Sequence, residues 1–245
     1  MKTFKILSAL LSYPSDDLIA AASSFGVFLE AEAIVPPAHR RALADLIADI
    51  AAGDVYDLQE RYGLLFDRSK TLSLHLFEHV HGESRDRGQA MVDLKATYEA
   101  AGLEIAANEL PDFVPLFLEF LSTQPLEAAR DLLGQPSHIL AALGERLGQR
   151  RSRYRAVFDA LVAIAAEAPS RAAVEALLEA SDVDPMDLKA LDAAWEEEEV
   201  RFGPGTQGQG ACGQETLIAR LRAARRKVDP ALTHQNQGAP RHANP

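Results

Sequence analysis

Apolar residues recur at helical spacing along most of this chain. Leu43, Leu46, Ile47 and Ile50 follow one another at three, one and three residues, as one face of a helix requires. Met91, Leu94, Tyr98 and Ala101 repeat at three, four and three, and Tyr154, Val157, Phe158, Leu161 and Val162 renew the pattern. Leu and Ala outnumber β-branched clusters, and no pair of alternating segments flanks an Asn-Gly or Asp-Gly turn. The chain is therefore expected to be all-α, a single-domain bundle of about ten helices.

Punctuation places the helix ends. Pro14 is expected at a first helical position, with Asp16 and Asp17 in the turn where the helix dipole favours acids. Pro36-Pro37, Pro111 and Pro136 open further helices, and Pro169-Ser170 separates two more. Gly53, Gly102 and Gly134 fall where helices should stop. The helical domain is read as residues 1–202, with a core over 1–168 and an Ala- and Glu-rich helical extension over 169–202. Residues 203–245 change character. The run Gly203-Pro204-Gly205-Thr206-Gln207-Gly208-Gln209-Gly210 has flexible-linker composition, Glu215 to Lys227 reads as a short basic amphipathic helix, and Thr233 to Pro245, polar with Pro and Gly, is expected to be a disordered tail.

Composition excludes several classes of function. The lone Cys212 permits no intramolecular disulfide and no cysteine zinc cage, which suits a reducing compartment, the cytoplasm. The net charge of −11 repels nucleic acid, and residues 184–199 alone carry seven acids against Lys189. An acidic body favours a basic partner. No apolar stretch is long enough to span a bilayer. Lys2 and Lys5 ahead of Ile6 to Leu11 resemble the start of a secretory signal, but that run is short and Pro14, Asp16 and Asp17 break it. Neither nucleic-acid binding nor stable membrane insertion is expected.

Four motifs bear on chemistry. His75-Leu76-Phe77-Glu78-His79 spells H-x-x-E-H; on a helix its histidines would share a face and hold zinc, with Glu78 as general base and Glu145 or Glu167 as third ligand. Gly208-Gln209-Gly210-Ala211-Cys212-Gly213 satisfies G-x-G-x-x-G, but an acidic segment, not a buried strand, precedes it, so a glycine linker is the better reading. Residues 62–91 form the densest region, with three His, three acids and two Arg between Leu74 and Gly88. Gly82 is placed to release a helix there, and the turn after it to display Glu83, Arg85, Asp86 and Arg87. The alternative is a helix corner held by its own ion pairs. Finally, Phe113 to Leu121 is apolar all round except for Glu119, as in a helix that is fully buried or lines an apolar groove. No nucleophile has a base and elbow around it: Ser84 lacks that context and Cys212 sits in the linker. The residues give no reason to expect an enzyme.

The stretch Tyr62-Gly63-Leu64-Leu65-Phe66-Asp67-Arg68, with Ser73-Leu74-His75-Leu76-Phe77-Glu78-His79-Val80-His81-Gly82-Glu83-Ser84-Arg85-Asp86-Arg87-Gly88-Gln89-Ala90-Met91, resembles the NarJ family. Its members are assembly chaperones (delta subunits) of respiratory nitrate reductase and are similar to the TorD-type maturation factors. Glu109-Leu110-Pro111-Asp112 running into Leu116 to Leu121, the N-terminal Leu7 to Pro14 and the later Trp195 to Phe202 fit the same pattern, so the resemblance spans roughly residues 4–202. It implies a monomeric helical domain that binds the apo catalytic (alpha) subunit of nitrate reductase, as an alpha-beta complex, through a twin-arginine-like N-terminal segment. The client is held ready for bis-molybdopterin guanine dinucleotide insertion and docking on the membrane subunit. The chaperone itself retains no cofactor and is absent from the finished enzyme.

On that reading a basic, amphipathic client peptide would lay its apolar face in a groove and its arginines against acids. Tyr62, Phe66, Leu74 and Phe77 are expected to supply apolar contact; Glu78, Glu83, Asp86, Asp112 and Glu119 supply charge, with Arg85 and Arg87 beside them. His79 and His81, ordinarily titrating near pH 6.5, would make binding pH-dependent. Related chaperones carry Pro-Asp-His before the apolar helix; here Phe113 follows Pro111-Asp112. The competing expectation is a helical zinc hydrolase built on His75, Glu78 and His79.

Overall fold

The apolar stripes become helices that bury them. A computed structural model describes residues 1–81, 85–105 and 109–179, and among these there are eleven α-helices and no strand beyond one isolated bridge. They are α1 (Lys2–Leu11), α2 (Asp16–Glu32), α3 (Pro37–Ala52), α4 (Val55–Tyr62), α5 (Glu78–His81), α6 (Arg85–Ala100), α7 (Val114–Thr123), α8 (Leu126–Gly134), α9 (Ser137–Gln149), α10 (Arg155–Ile164) and α11 (Arg171–Leu178). A π-helical turn (Gly63–Asp67) and a 3-10 turn (Lys70–Leu72) continue the chain after α4. No helix among the described residues is long and apolar enough to cross a membrane.

Helix α1 lies against α2 and α7, α3 against α2 and α10, and α9 against α10 and α11. One continuous apolar core results. The run that begins like a secretory signal is a core helix here: Phe4, Leu7, Leu10 and Leu11 are fully buried. Its N-terminus is capped from a distance. The Glu32 carboxylate, at the end of α2, accepts hydrogen bonds from the backbone N–H of Lys2 (2.7 Å) and Thr3 (2.8 Å) and from the Thr3 hydroxyl (2.8 Å). Burial works against the charge on Glu32, yet these donors outweigh it and hold its pKa below the usual value. The Met1 ammonium donates to the Ser122 carbonyl, which ties α1 to the end of α7.

Several helix ends differ from the sequence expectation. Helix α2 is capped by Ser15, whose hydroxyl accepts from Leu18 N–H (3.2 Å), so Pro14 stands outside the helix. Pro37 opens α3 and Pro136 immediately precedes α9, as expected. Pro111 opens no helix: α7 starts at Val114, with Pro115 in its first turn. At the end of α6, Gly102 takes φ +78°, and the Leu103 N–H reaches back to the Tyr98 carbonyl (3.0 Å), closing a Schellman turn. Helix α11 packs on α9 through Val174, so packed helix continues past residue 168. The acidic segment 184–199, the glycine-rich run, Cys212 and the basic helix over 215–227 lie outside the described residues.

Ala33 ends α2 in the left-handed region at φ 51°. A side chain in that conformation is disfavoured by about 1 kcal/mol relative to glycine. Ala33→Gly should therefore raise the unfolding free energy by about 0.5–1 kcal/mol, seen as a higher urea midpoint at unchanged m-value.

Candidate functional site

The two sequence blocks 62–91 and 109–121 meet where the chain passes through extended backbone. Residues 74–76 run beside 112–114: Leu76 N–H donates to the Asp112 carbonyl (3.1 Å) and Val114 N–H to the Leu74 carbonyl (2.8 Å). His75 and Phe113 form the bridge between them, with their rings 5.3 Å apart. These residues form neither a helix nor a sheet. They form a two-segment clasp that pins the start of α7 to the residues preceding α5.

Asp112 is the clasp's pivot. It is fully buried, and its Oδ2 accepts from the Phe77 N–H at 2.9 Å while Oδ1 faces His75 Nδ1 at 3.3 Å. A buried carboxylate is tolerated only when donors replace water, and these two do so. Beside it the Tyr98 hydroxyl donates to the Pro111 carbonyl (2.8 Å), which anchors the clasp to α6. On the solvent side Arg87 of α6 bonds Glu78 of α5 at 3.0 Å. That ion pair ties α5 to α6; a Glu83–Arg87 pair, the one the sequence spacing suggests, lies outside the described residues.

The geometry removes the premise of the zinc site. His75 lies in the extended segment and α5 begins only at Glu78, so the two histidines do not sit one turn apart on a helix. His75 Nδ1 is engaged by Asp112, and neutral His79 donates its Nε2–H to the Ser73 carbonyl (2.8 Å). No group of three metal-ligating side chains occurs among the described residues.

The expected contact residues divide into three sets. Tyr62, Phe66, Leu74 and Phe77 are buried, so they build the core under this surface and offer no open groove. Tyr62 and Phe66 join Tyr13 and Tyr154 in an aromatic cluster on the α4 side, where the Tyr62 hydroxyl donates to the Leu11 carbonyl (2.9 Å). Asp112 is likewise interior, so the expectation that it presents charge to a partner is corrected: charge reversal there would break the clasp. Glu78, Asp86 and Glu119 are exposed; Glu119 is the exception in the apolar α7, and it lies at the surface, so that helix is not buried on every side. Arg87 and His79 are half-buried. His81 ends α5 and Arg85 starts α6, while Glu83 lies outside the described residues.

The sequence reading overlooked Arg146. It is buried on the apolar face of α9, where Leu143 and Leu147 flank it. Its guanidinium donates to the Thr71 carbonyl (2.9 Å) and the Leu177 carbonyl (2.6 Å), joining the 3-10 turn and α11 to α9. The signal was present: a cation at a core position of an otherwise regular stripe.

The two histidines respond oppositely to pH. The Asp112 hydrogen bond raises the His75 pKa above 6.5; burial opposes it, the Asp112 and Glu78 charges add to it, and Arg87 subtracts. Burial holds His79 below 6.5, against its bond to Ser73. Of these two, His75 is the one whose protonated form the fold favours, and His79 the one whose neutral form it favours. A raised folded pKa means that His75 stabilises fully below about pH 6.5 and loses that contribution as pH rises through its folded value. His79, buried neutral, contributes above 6.5 and loses it as pH falls through its lowered value. His75→Gln should flatten the decline in Tm as pH rises above about 6.5, measured against the parent chain by calorimetry.

The fold is a helical bundle in which the 62–91 and 109–121 blocks meet at the clasp. The sequence matches the family described as nitrate reductase delta subunit over residues 33–160, and the chain belongs to that family. It is 42% identical over 235 residues to the nitrate reductase molybdenum cofactor assembly chaperone NarJ of Escherichia coli K12, covering 95% of this chain and 97% of the relative. It is 40% identical over 202 residues to the probable assembly chaperone NarW of the same strain, covering 82% and 84%. The probable NarJ of Bacillus subtilis is 31% identical over 178 residues, 73% of this chain and 96% of that protein. These relatives are named as assembly chaperones and not as catalysts.

Proposed function

We propose that this protein is a dedicated chaperone of a nitrate reductase, acting in the cytoplasm as a monomer. It binds the apo catalytic subunit, with its beta partner, by a basic N-terminal segment, and keeps it open for the bis-molybdopterin guanine dinucleotide cofactor. It then leaves, taking no part in the finished enzyme. The observation that carries this reading is the near-full-length match to an assembly chaperone, 95% of this chain against 97% of the relative.

The clasp suits that role chemically. Glu78 and Asp86 are exposed carboxylates on α5 and α6, and Phe113, which meets His75 in the clasp, and Leu116 are half-buried apolar side chains. An amphipathic peptide with arginines needs this combination of apolar contact and acidic rim. The buried Leu74 and Phe77 hold that surface in place and do not themselves touch the peptide. Reversing both exposed acids (Glu78→Lys with Asp86→Lys) should weaken client-peptide affinity by about tenfold or more. It should lower Tm only slightly, because Glu78 and Asp86 are both exposed and the Glu78–Arg87 pair, whose arginine is half-buried, is worth about 1 kcal/mol or less.

The reading is tested by deleting the gene in the host and measuring molybdenum bound to the purified catalytic subunit. The expected result is apo-subunit at normal abundance but without molybdenum, restored by the parent chain. Full molybdenum loading in the deletion strain would reject a role in cofactor insertion.

A further inference from the structure

A recess lies away from the clasp, between the end of α3, the α4 and π-helical segment, and the turn joining α9 to α10. Its volume is about 560 Å³, within the range of small-molecule sites. Leu46, Leu64 and Leu65 give it an apolar wall. The turn supplies cations out of keeping with a chain of net charge −11: four of the six residues 150–155 are arginine, and Arg150, Arg151 and Arg153 line the recess. Arg153 and Arg61 both pair with Asp49, which neutralises that acid. Arg151 is exposed, makes no ion pair among the described residues, and holds a left-handed φ of 53°.

Two buried donors in this recess have no acceptor. The Tyr154 hydroxyl belongs to a side chain only 1% exposed, and it and the Arg61 Nε–H find no hydrogen-bond partner, while the buried Asp49 Oδ2 in the same lining is engaged by the Arg61 ion pair at 2.6 Å and by no hydrogen bond. Nearly all buried donors in folded proteins are satisfied, so unmet donors in a recess rimmed by guanidinium groups point to an acceptor-rich anion. The acids Asp57 and Glu60 on the outer side are suited to accept from hydroxyl or amino groups at the far end of such a ligand.

We propose that this recess binds a phosphomonoester of mononucleotide size. Its phosphate meets Arg151, Arg61 and the Tyr154 hydroxyl, its flat body lies on the leucine wall, and its hydroxyl groups reach Asp57 and Glu60. The proposal stands apart from client binding at the clasp, and its failure leaves that reading untouched.

Calorimetric titration of the full chain with adenosine 5′-monophosphate, inorganic phosphate and adenosine tests it. The nucleotide should bind more tightly than either half. Arg151→Gly removes a guanidinium and relieves the left-handed strain, so that variant should stay folded with Tm equal or higher while affinity falls about tenfold. Tyr154→Phe removes a hydroxyl that bonds nothing in the free protein, so it should fold normally and also bind more weakly. Absence of binding at millimolar nucleotide would overturn the proposal. So would binding of phosphate and nucleotide with equal affinity, or affinity unchanged in both variants.

Discussion

Asp112→Ala should destabilise the protein by about 3 kcal/mol, because two charge-assisted hydrogen bonds disappear and the buried Phe77 N–H is left without an acceptor. For a domain of this size that is a drop in Tm of roughly 6–12 °C. Asp112→Asn should fall between: its amide oxygen still accepts from Phe77, but it no longer favours charge on His75. The His75 pKa, followed by NMR, should then return toward the ordinary 6.5. A His75 that titrates identically in parent and Asp112→Asn would show that the contact does not form. The lesion sits beneath the proposed client surface, so Asp112 variants should also lose client affinity, through disorder of the clasp and not through a lost contact. The pair of surface reversals at Glu78 and Asp86 separates the two causes, since those leave the fold intact.

Arg146→Ala is expected to be the most disruptive single truncation, at roughly 3–5 kcal/mol. It leaves the Thr71 and Leu177 carbonyls without their guanidinium donor and opens space beside Leu143 and Leu147. Arg146→Lys should recover only part of this, because a single ammonium lacks the fork that spans two carbonyls on different elements. Urea denaturation gives the size of the loss. Hydrogen exchange locates it: amides of Arg171–Leu178 should exchange faster in Arg146→Ala while those of α1 change far less. A loss below about 1 kcal/mol would mean the two carbonyls are satisfied otherwise.

Much of this architecture can be read from side-chain periodicity, because helix burial depends on residues three and four apart. Leu43, Leu46, Ile47 and Ile50 all turn inward, as their spacing requires. The caps were harder. Glu32 caps α1 from thirty residues away in sequence, and no local pattern announces it. Pro14 is expected at a first helical position, yet Ser15 is the cap and Pro14 precedes it. The clasp was the least legible element. His75 to Phe77 carries enough apolar character to continue a helix, and only the pairing with residues 112–114 pulls it into extended form. Tertiary hydrogen bonding therefore overrode local propensity there.

The same distinction explains the site. Types and neighbourhood were legible: the 62–91 and 109–121 blocks do come together. Depth was not. Asp112 and Glu119 are both acids near an apolar helix, yet one is wholly buried and the other faces water. The difference lies in position: Asp112 sits in the clasp where the Phe77 N–H reaches its carboxylate, whereas Glu119 lies on the exposed face of α7. Arg146 shows the converse case, an apparent surface residue that ties three elements together from inside.

The central claim is recognition of the client. It is tested most directly by calorimetric titration of the full chain with a peptide covering the N-terminus of its nitrate reductase catalytic subunit. The account predicts one-to-one binding with a Kd at or below micromolar, roughly −8 kcal/mol. No detectable heat, together with failure of the full apo-subunit to co-purify with the chain, would contradict it.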